Sequence, residues 1–276
     1  MRLHYTFRVT LTLLLALGAA ALCVALPTPL PWMIGPLVVT AVASMAGAPT
    51  ESWAPLRNGG QWVIGAALGL YFTPQVMALV ASLWWAILLA IAWALMLGVS
   101  FAAVLYRLHA PRLAGVAPDA MRATAFFAGA VGGASEMTLL AERVGARTDL
   151  VAAAHSLRLM VVVLVIPFGL QASGLTAVDV TSPGPRIVHP FGLLALGVCT
   201  VAGALVMQRL GRANPWFMGS LVVAMGFTMA GITLSAIPVA LSNAAQLVIG
   251  VSLGVRFTSG FLHTAPRWLA SVALGT

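Results

Sequence analysis

Apolar runs separated by short polar connections make up most of this chain. They fall at residues 9–26, 31–46, 58–72, 82–106, 118–131, 135–146, 150–171, 190–208, 215–231, 243–257 and from 267 onward. A helix that spans a membrane needs about 20 residues, and several of these runs are shorter. Short or interrupted apolar segments at matching positions in two halves of a chain indicate broken helices of the kind found in transporters.

Composition places these runs in a bilayer. The chain is 61% hydrophobic and 7% charged, whereas soluble domains carry roughly 25% charged residues. The sequence therefore predicts an all-α integral membrane protein. The 14 basic residues are all arginine and are dispersed. They form no basic face of a soluble domain, so direct nucleic-acid binding is not expected.

Two stretches of the first half recur in the second half in register. Residues 31–47 recur as 215–231, and residues 58–73 recur as 243–258. Of the 33 positions compared, 18 are identical, including Pro-Trp, Asn-x-x-Gln and Phe-Thr. Shared apolar composition does not keep such motifs in register, so the sequence predicts an internal duplication.

Arginine placement predicts the orientation, because cytoplasmic loops collect positive charge. An N-terminus inside leaves the uncharged loops at 27–30 and 73–81 outside. Residues 118–146 then either cross the membrane or dip into it and return. The dipping interpretation leaves only Arg186 outside and fits the charge rule better. It places the following arginines inside: Arg143, Arg147, Arg209, Arg212, Arg256 and Arg267.

With a dipping segment each repeat has an odd number of crossings, so the second copy is inverted. The predicted organisation is a first membrane repeat at 1–172, with five crossings plus a re-entrant hairpin at 118–146. A linker follows at 173–189, and a second repeat occupies 190–276. The sequence contains no second counterpart of residues from 92 to about 172, so we expect the second repeat to be incomplete.

Four motifs together carry a family resemblance: Pro-Trp-x-x-Gly-Pro, Gln-x-x-Ile-Gly-x-x-Leu-Gly-x-x-Phe-Thr, Gly-Gly-Ala-Ser-Glu-Met and His-Ser-Leu-Arg, beginning at residues 31, 61, 132 and 155. The chain resembles the AbrB family of bacterial membrane proteins, which is distinct from the soluble DNA-binding regulator of the same name. The resemblance implies the same duplication and a location in the bacterial inner membrane. It also implies an inverted-repeat bundle with broken helices, similar to the cation/proton antiporter and anion transporter superfamily.

A candidate site lies at the third of these motifs. Gly132 and Gly133 allow the backbone to leave regular helix, and Ser135 and Glu136 follow them directly. An ionisable residue at membrane depth is costly and marks a functional site by default. Glu136 would bind a cation or proton there, and Ser135 would add a hydroxyl ligand. The alternative is that Glu136 pairs with an arginine and ties the hairpin down.

The fourth motif supplies a candidate partner. His155 and Arg158 are three residues apart, so they share one helix face. We expect Arg158 to be the counter-ion of Glu136, the binder of an anionic substrate, or part of a structural ion pair. His155 has a pKa that suits proton transfer near neutral pH, but a single helical histidine is more often a packing residue.

Four amide residues at repeated positions complete the candidate set. Their side chains either bind substrate or form hydrogen bonds between helices, and the second role is the more common one in membrane bundles. They are Asn58, Gln61, Asn243 and Gln246.

Three functions remain open. The first is a secondary-transporter-like permease for a small solute, cation or proton, without a nucleotide motif. The second, from one family label, is a membrane regulator of gene expression that acts through a partner. The third, from another label, is ammonia oxidation, which requires a transition metal. No metal-ligand spacing supports it, so neither an enzyme nor a cofactor is expected. The bilayer is the expected partner, and homo-oligomerisation is left open.

Overall fold

The computed structural model describes residues 2–111, 117–174, 187–259 and 266–276, except the side chains of residues 2–4 and 135. Within these ranges the chain is helical, without strands. The helices are α1 (Arg2–Ala25), α2 (Pro31–Met45), α3 (Ala54–Gly69), α4 (Pro74–Ser82), α5 (Trp84–His109), α6 (Pro118–Gly129), α7 (Ala134–Arg143), α8 (Thr148–Ala172), α9 (Pro190–Arg209), α10 (Pro215–Met229), α11 (Val239–Gly254) and α12 (Pro266–Leu274).

The predicted apolar runs coincide with helices throughout the described ranges. Four helices are long and apolar enough to cross a membrane: Tyr5–Ala25 within α1, α5, α8 and α9. The prediction of a loop at 73–81 is wrong, because α4 occupies it. The chain bends by 79° between α3 and α4. Most of the predicted linker, residues 175–186, lies outside the described residues.

Matched residues begin and end α2 and α10, two helices that occupy repeated positions. Leu30 and Asn214 both adopt left-handed backbone conformations, with φ of 44° and 47°, just before the proline that starts each helix. Gly47 and Gly231 follow the two helices with φ of 85° and 73°, a conformation that glycine adopts without strain. The repeated sequences therefore have the same local backbone at both ends of the helix.

The chain divides into two compact units, each of which contains parts of both sequence repeats. The first unit comprises Met1–Ser82 and Leu170–Arg256, and the second comprises Leu83–Gly169 and Phe257–Thr276.

In the first unit, α3 lies against α10 and α2 lies against α11, and both pairs are parallel. A methyl group added at Gly69 would lie 2.6 Å from the carbonyl oxygen of Leu221, and one at Gly65 would overlap the carbonyl of Phe217, one turn earlier on both helices. The register of α11 on α2 is the same: Gly250 faces Met33 and Gly254 faces Leu37. Residues at equivalent positions of the repeated sequence therefore make equivalent contacts in the two helix pairs.

Within each repeat, the first two helices are antiparallel and meet at small residues. Gly35 of α2 packs on the backbone of Ala19 in α1, and Gly219 of α10 packs on Ala204 in α9. Since α3 is parallel to α10 and α11 is parallel to α2, the helices α1–α2–α3 alternate in the opposite sense to α9–α10–α11. Gly60 of α3 faces Ala245, its own counterpart in α11. A methyl group added at Gly60 would lie 3.0 Å from the carbonyl oxygen of Ala245.

These directions gather the described arginines of the first unit at one end. The start of α3 and the ends of α9 and α11 lie there. So does the start of α1, where Arg8 is 3.8 Å from Glu51. The described connections at the other end, 26–30, 70–73, 187–189 and 230–238, contain no Arg, Lys, Asp or Glu. The arginines at this arginine-bearing end are Arg8, Arg57, Arg209, Arg212 and Arg256.

In the second unit, residues 118–146 form a helical hairpin. α6 runs antiparallel to α5, because Gly129 approaches Gly98 while Arg122 lies over the Tyr106 ring near the end of α5. The chain then returns along α7, and the backbone N–H of Arg147 donates to Oγ1 of Thr124 in α6 at 2.9 Å.

The helix that follows the hairpin begins where the hairpin began. Trp268 of α12 packs edge-on against His109 at the end of α5. Its indole N–H donates to the carbonyl oxygen of Leu150, in the first turn of α8, at 3.3 Å. Both α6 and α8 therefore start at the same end of this unit.

Candidate functional site

The backbone leaves helical geometry between α6 and α7, at residues 130–133. Ala130 and Gly133 are extended, with φ, ψ of −61°, 147° and −68°, 133°. Any residue adopts these angles, and neither Gly132 nor Gly133 has a positive φ. The backbone therefore leaves regular helix at the predicted place, without using a left-handed residue. Gly129 is packed against the backbone of α5, since an added Cβ would lie 2.9 Å from the Gly98 carbonyl oxygen, whereas one at Gly132 would meet the end of the Met137 side chain at 2.5 Å.

Arg158 of α8 caps the broken end of α6. Its Nη1 donates to the carbonyl oxygen of Ala130 at 3.0 Å, and its Nη2 donates to that of Ala128 at 2.9 Å. The same Nη2 is 3.5 Å from the Gly129 oxygen. The last carbonyls of a helix have no partner within it and carry partial negative charge. The guanidinium therefore satisfies the polar groups that the break exposes.

His155, one turn earlier on α8, bonds to the same helix end. Its Nε2 is 2.9 Å from the carbonyl oxygen of Phe127, and the side chain is 5% exposed. Because a carbonyl only accepts, Nε2 carries the proton and Nδ1 is left as an acceptor. The predicted common face of His155 and Arg158 is confirmed, and that face holds the end of α6.

The expected pairing of Arg158 with Glu136 is not what the structure contains. Glu136 is exposed, in the first turn of α7, where a carboxylate suits the positive end of the helix dipole. Arg158 instead binds carbonyl groups, which lie closer to it along the break. The Ser135 side chain is outside the described residues. The predicted roles of Ser135 and Glu136 as ligands stay predictions.

A cavity of about 440 Å³ opens at the break. Its walls combine apolar residues of α5 with the polar groups just described. Arg158, His155, Gly132, Gly133 and Ala134 all contribute. The α7 N-terminus, which Gly133 precedes, has no side-chain cap, so its free N–H groups join the guanidinium as donors.

Two other cavities, of about 630 and 490 Å³, lie in the first unit. Their walls are almost wholly apolar, and the hydroxyl of Thr200 in the larger one is already bonded to the Trp62 indole at 2.9 Å. A solute site needs a few convergent polar groups as well as space. The cavity at the break fits that description better, although it is smaller.

The four repeated amides belong to the first unit, whereas this cavity belongs to the second. Each amide is partly buried, and none of the four makes a side-chain hydrogen bond within the described ranges. The role of these amides in bonding helix to helix stays a prediction. Asn243 lines the smaller apolar cavity. Binding of substrate by Asn58, Gln61, Asn243 and Gln246 stays a prediction.

Metal ligation finds no support in the part of the chain that the structure describes. No cluster of three or more His, Cys, Asp or Glu side chains suited to a metal occurs among those residues. Cys23 and Cys199 are both free thiols.

An all-helical chain with four membrane-length apolar helices and a polar cavity at a helix break is consistent with a polytopic membrane protein. Residues 32–276 match the family described as "Transition state regulatory protein AbrB", and the chain belongs to that family. It is similar to "Uncharacterized protein YhjN" of Bacillus subtilis (strain 168), with 30% identity over 145 residues. That match spans 50% of this chain and 35% of the relative. No solved structure matches the chain significantly.

Proposed function

We propose that this protein is a secondary-transporter-like permease of the bacterial inner membrane, with its solute site in the cavity at the break between α6 and α7. The observation that carries the proposal is the set of donors in that cavity. Arg158 has five N–H groups, and its bonds to α6 use at most three of them. The free N–H groups of α7 lie beside the remainder. These donors suit a small solute with an anionic or hydrogen-bond-accepting group.

The helix directions support an inverted repeat. The two sets of three helices in the first unit alternate in opposite senses, and equivalent glycines pack at equivalent positions. Transporters with inverted repeats hold their solute at broken helices near the middle of the bilayer. The hairpin at 118–146 would then be re-entrant, with the break at its tip and both of its ends at the cytoplasmic surface.

The arginines support an N-terminus inside. In the first unit all five arginines with described side chains lie at one end, and Arg2 begins α1 at that same end. In the second unit the end where α6 and α8 start carries the described arginines other than Arg158: Arg107, Arg122, Arg143, Arg147 and Arg267. By the positive-inside rule these ends face the cytoplasm. We propose a transport role without catalysis.

Filling the cavity tests the proposal. Ala94 lines it from α5, and Ala92 is an exposed alanine on the same helix outside it. Iso-osmotic swelling of proteoliposomes in potassium acetate, succinate, chloride or phosphate, with valinomycin present, measures the entry of each anion directly. We expect swelling to exceed that of empty liposomes in at least one salt, with Ala94→Phe blocking it and Ala92→Phe leaving it intact.

Three other outcomes would contradict parts of this proposal. Equal swelling with and without protein in every salt would contradict an anion permease. Equal effects of the two phenylalanines would remove the cavity from the pathway. Loss of flux in Glu136→Gln would favour the cation or proton site that the sequence suggests.

A regulatory role is the second candidate, because the family's description names a regulatory protein. The chain would then act through a cytoplasmic partner. Photo-crosslinking from Leu108, which is exposed near the end of α5, would capture one defined protein. Swelling activity without any such partner would favour the permease.

A further inference from the structure

Two arginines of the first unit converge where α3 and α11 meet. α3 begins at the arginine-bearing end, and α11 ends there. Gly60 of α3 packs against Ala245 and Ile249 of α11, so Arg57, one turn before Gly60, lies on the side where α11 finishes. Arg256 is the second residue after α11. Burial of part of its side chain and the nearby charge of Arg57 lower the pKa of Arg256.

Arg57 occupies a position that is unfavourable for a cation on three counts. It lies in the first turn of α3, next to the positive end of the helix dipole. It lies close enough to Arg256 for the two like charges to act on each other. Its Nε is buried without a hydrogen-bond partner. A bound anion would relieve all three.

No described acid in this unit forms an ion pair with Arg57 or Arg256. Glu51 is the one carboxylate among the first unit's described residues, and it is 3.8 Å from Arg8. The C-terminal carbonyls of α11 favour a cation at Arg256, but they do nothing for Arg57. The other end of the same helix pair carries uncharged residues at the repeated positions, Ser242 and Tyr71. Among the described residues of this helix pair, the charge is therefore specific to one end.

We propose that Arg57 and Arg256 form a binding site for an anionic phosphate group. A guanidinium binds phosphate with two parallel N–H bonds. In the proposed topology the site opens at the cytoplasmic leaflet, where a phospholipid headgroup supplies this chemistry. Free phosphate supplies it equally well, and the experiment separates the two sources. The proposal does not depend on the permease function.

The test is thermal unfolding of the purified full chain in detergent, followed by tryptophan fluorescence. Its arms are phosphatidylglycerol, zwitterionic phosphatidylcholine, and sodium phosphate against sodium chloride at equal ionic strength. We expect phosphatidylglycerol to raise Tm by about 3 °C at a tenfold excess over Kd, and phosphatidylcholine, whose phosphate is accompanied by its own ammonium group, to raise it by less than half as much. An increase with sodium phosphate alone would make the ligand a soluble anion.

Variants locate the effect. In the Arg57→Gln, Arg256→Gln double variant we expect no increase with anion, and an unliganded Tm equal to or above that of the parent, because the like charges are gone. Arg212→Gln, which removes an exposed arginine at the same end, should keep the full increase. If the double variant does not fold, Arg57→Lys keeps the charge but loses the paired donors, and should lose at least half of the increase. No response to either anion, or an equal loss in Arg212→Gln, would overturn the proposal.

Discussion

Arg158 shows how a charged residue is accommodated in an otherwise apolar helix. A helix break exposes several carbonyl groups, and a guanidinium binds more than one of them at once because its N–H groups form a planar fork. The charge and the break therefore stabilise each other. Arg158 also lines the cavity at the break, so the residue that caps α6 is the one on which the proposed solute site depends.

Loss of this cap should be costly. We expect Arg158→Gln to lower the free energy of unfolding by about 2–3 kcal/mol, since hydrogen bonds from a charged donor contribute about 1.5–3 kcal/mol and the carbonyls are left unpaired. Arg158→Lys should recover only part of this, because an ammonium cannot bridge the same carbonyls. Thermal unfolding in detergent measures both. Arg143→Gln, at an exposed arginine of the same unit, should change stability by less than about 0.5 kcal/mol, and an equal loss there would contradict the capping role.

The sequence reveals the residues of this site more readily than the groups to which they bind. The glycines, His155 and Arg158 were identified because polar residues within apolar runs are conspicuous. The pairing of Arg158 with Glu136 was predicted because a sequence shows which side chains carry opposite charge. A sequence does not show which backbone carbonyl groups will be left without partners near a given arginine, because every residue has one. Which helix end faces Arg158 depends on the tertiary fold.

Helix boundaries were easier to predict than bends. Proline at the first turn and glycine after the last turn define α2 and α10 in the sequence itself. α4 was missed because residues 74–82 are too few for a span. Its start is nevertheless marked in the sequence by Pro74 and by Thr73, whose Oγ1 accepts from the backbone N–H of Val76 at 3.3 Å. At this scale the duplication is most informative, because it predicts that equivalent helix contacts have equivalent costs.

Two glycines test that equivalence. An added methyl at Gly65 would overlap the Phe217 carbonyl, and one at Gly250 would lie 2.6 Å from the Met33 carbonyl. We expect Gly65→Ala and Gly250→Ala each to cost about 1–3 kcal/mol, because the helices must separate. Gly226→Ala, in α10 with no atom within 4 Å of the added methyl, should be neutral or stabilising by up to about 1 kcal/mol. Thermal unfolding of the three variants measures these changes in stability. A loss at only one of the two packed glycines would contradict equivalent packing.

For the whole molecule, the question is which side of the membrane the hairpin at 118–146 returns to. The order of apolar runs leaves both answers open, because a segment of 29 residues is long enough to cross. In the structure, α6 and α8 start at the same end of the second unit, since Trp268 connects the end of α5 to the first turn of α8. Placed in a bilayer with that end inside, the segment dips and returns.

Accessibility of single cysteines tests this topology directly. In a background without Cys23 and Cys199, we expect cysteines at Arg107 and Arg143, both exposed, to react with a membrane-impermeant maleimide only after the cytoplasmic side is opened. A cysteine at His189, which is exposed just before α9, should react in intact cells, because an inverted second repeat begins outside. Reaction at Arg143 in intact cells would mean that residues 118–146 cross the membrane. The second copy would then have the orientation of the first, and the inverted-repeat permease would have to be abandoned, whereas the contacts of Arg158 with the end of α6 would be unaffected.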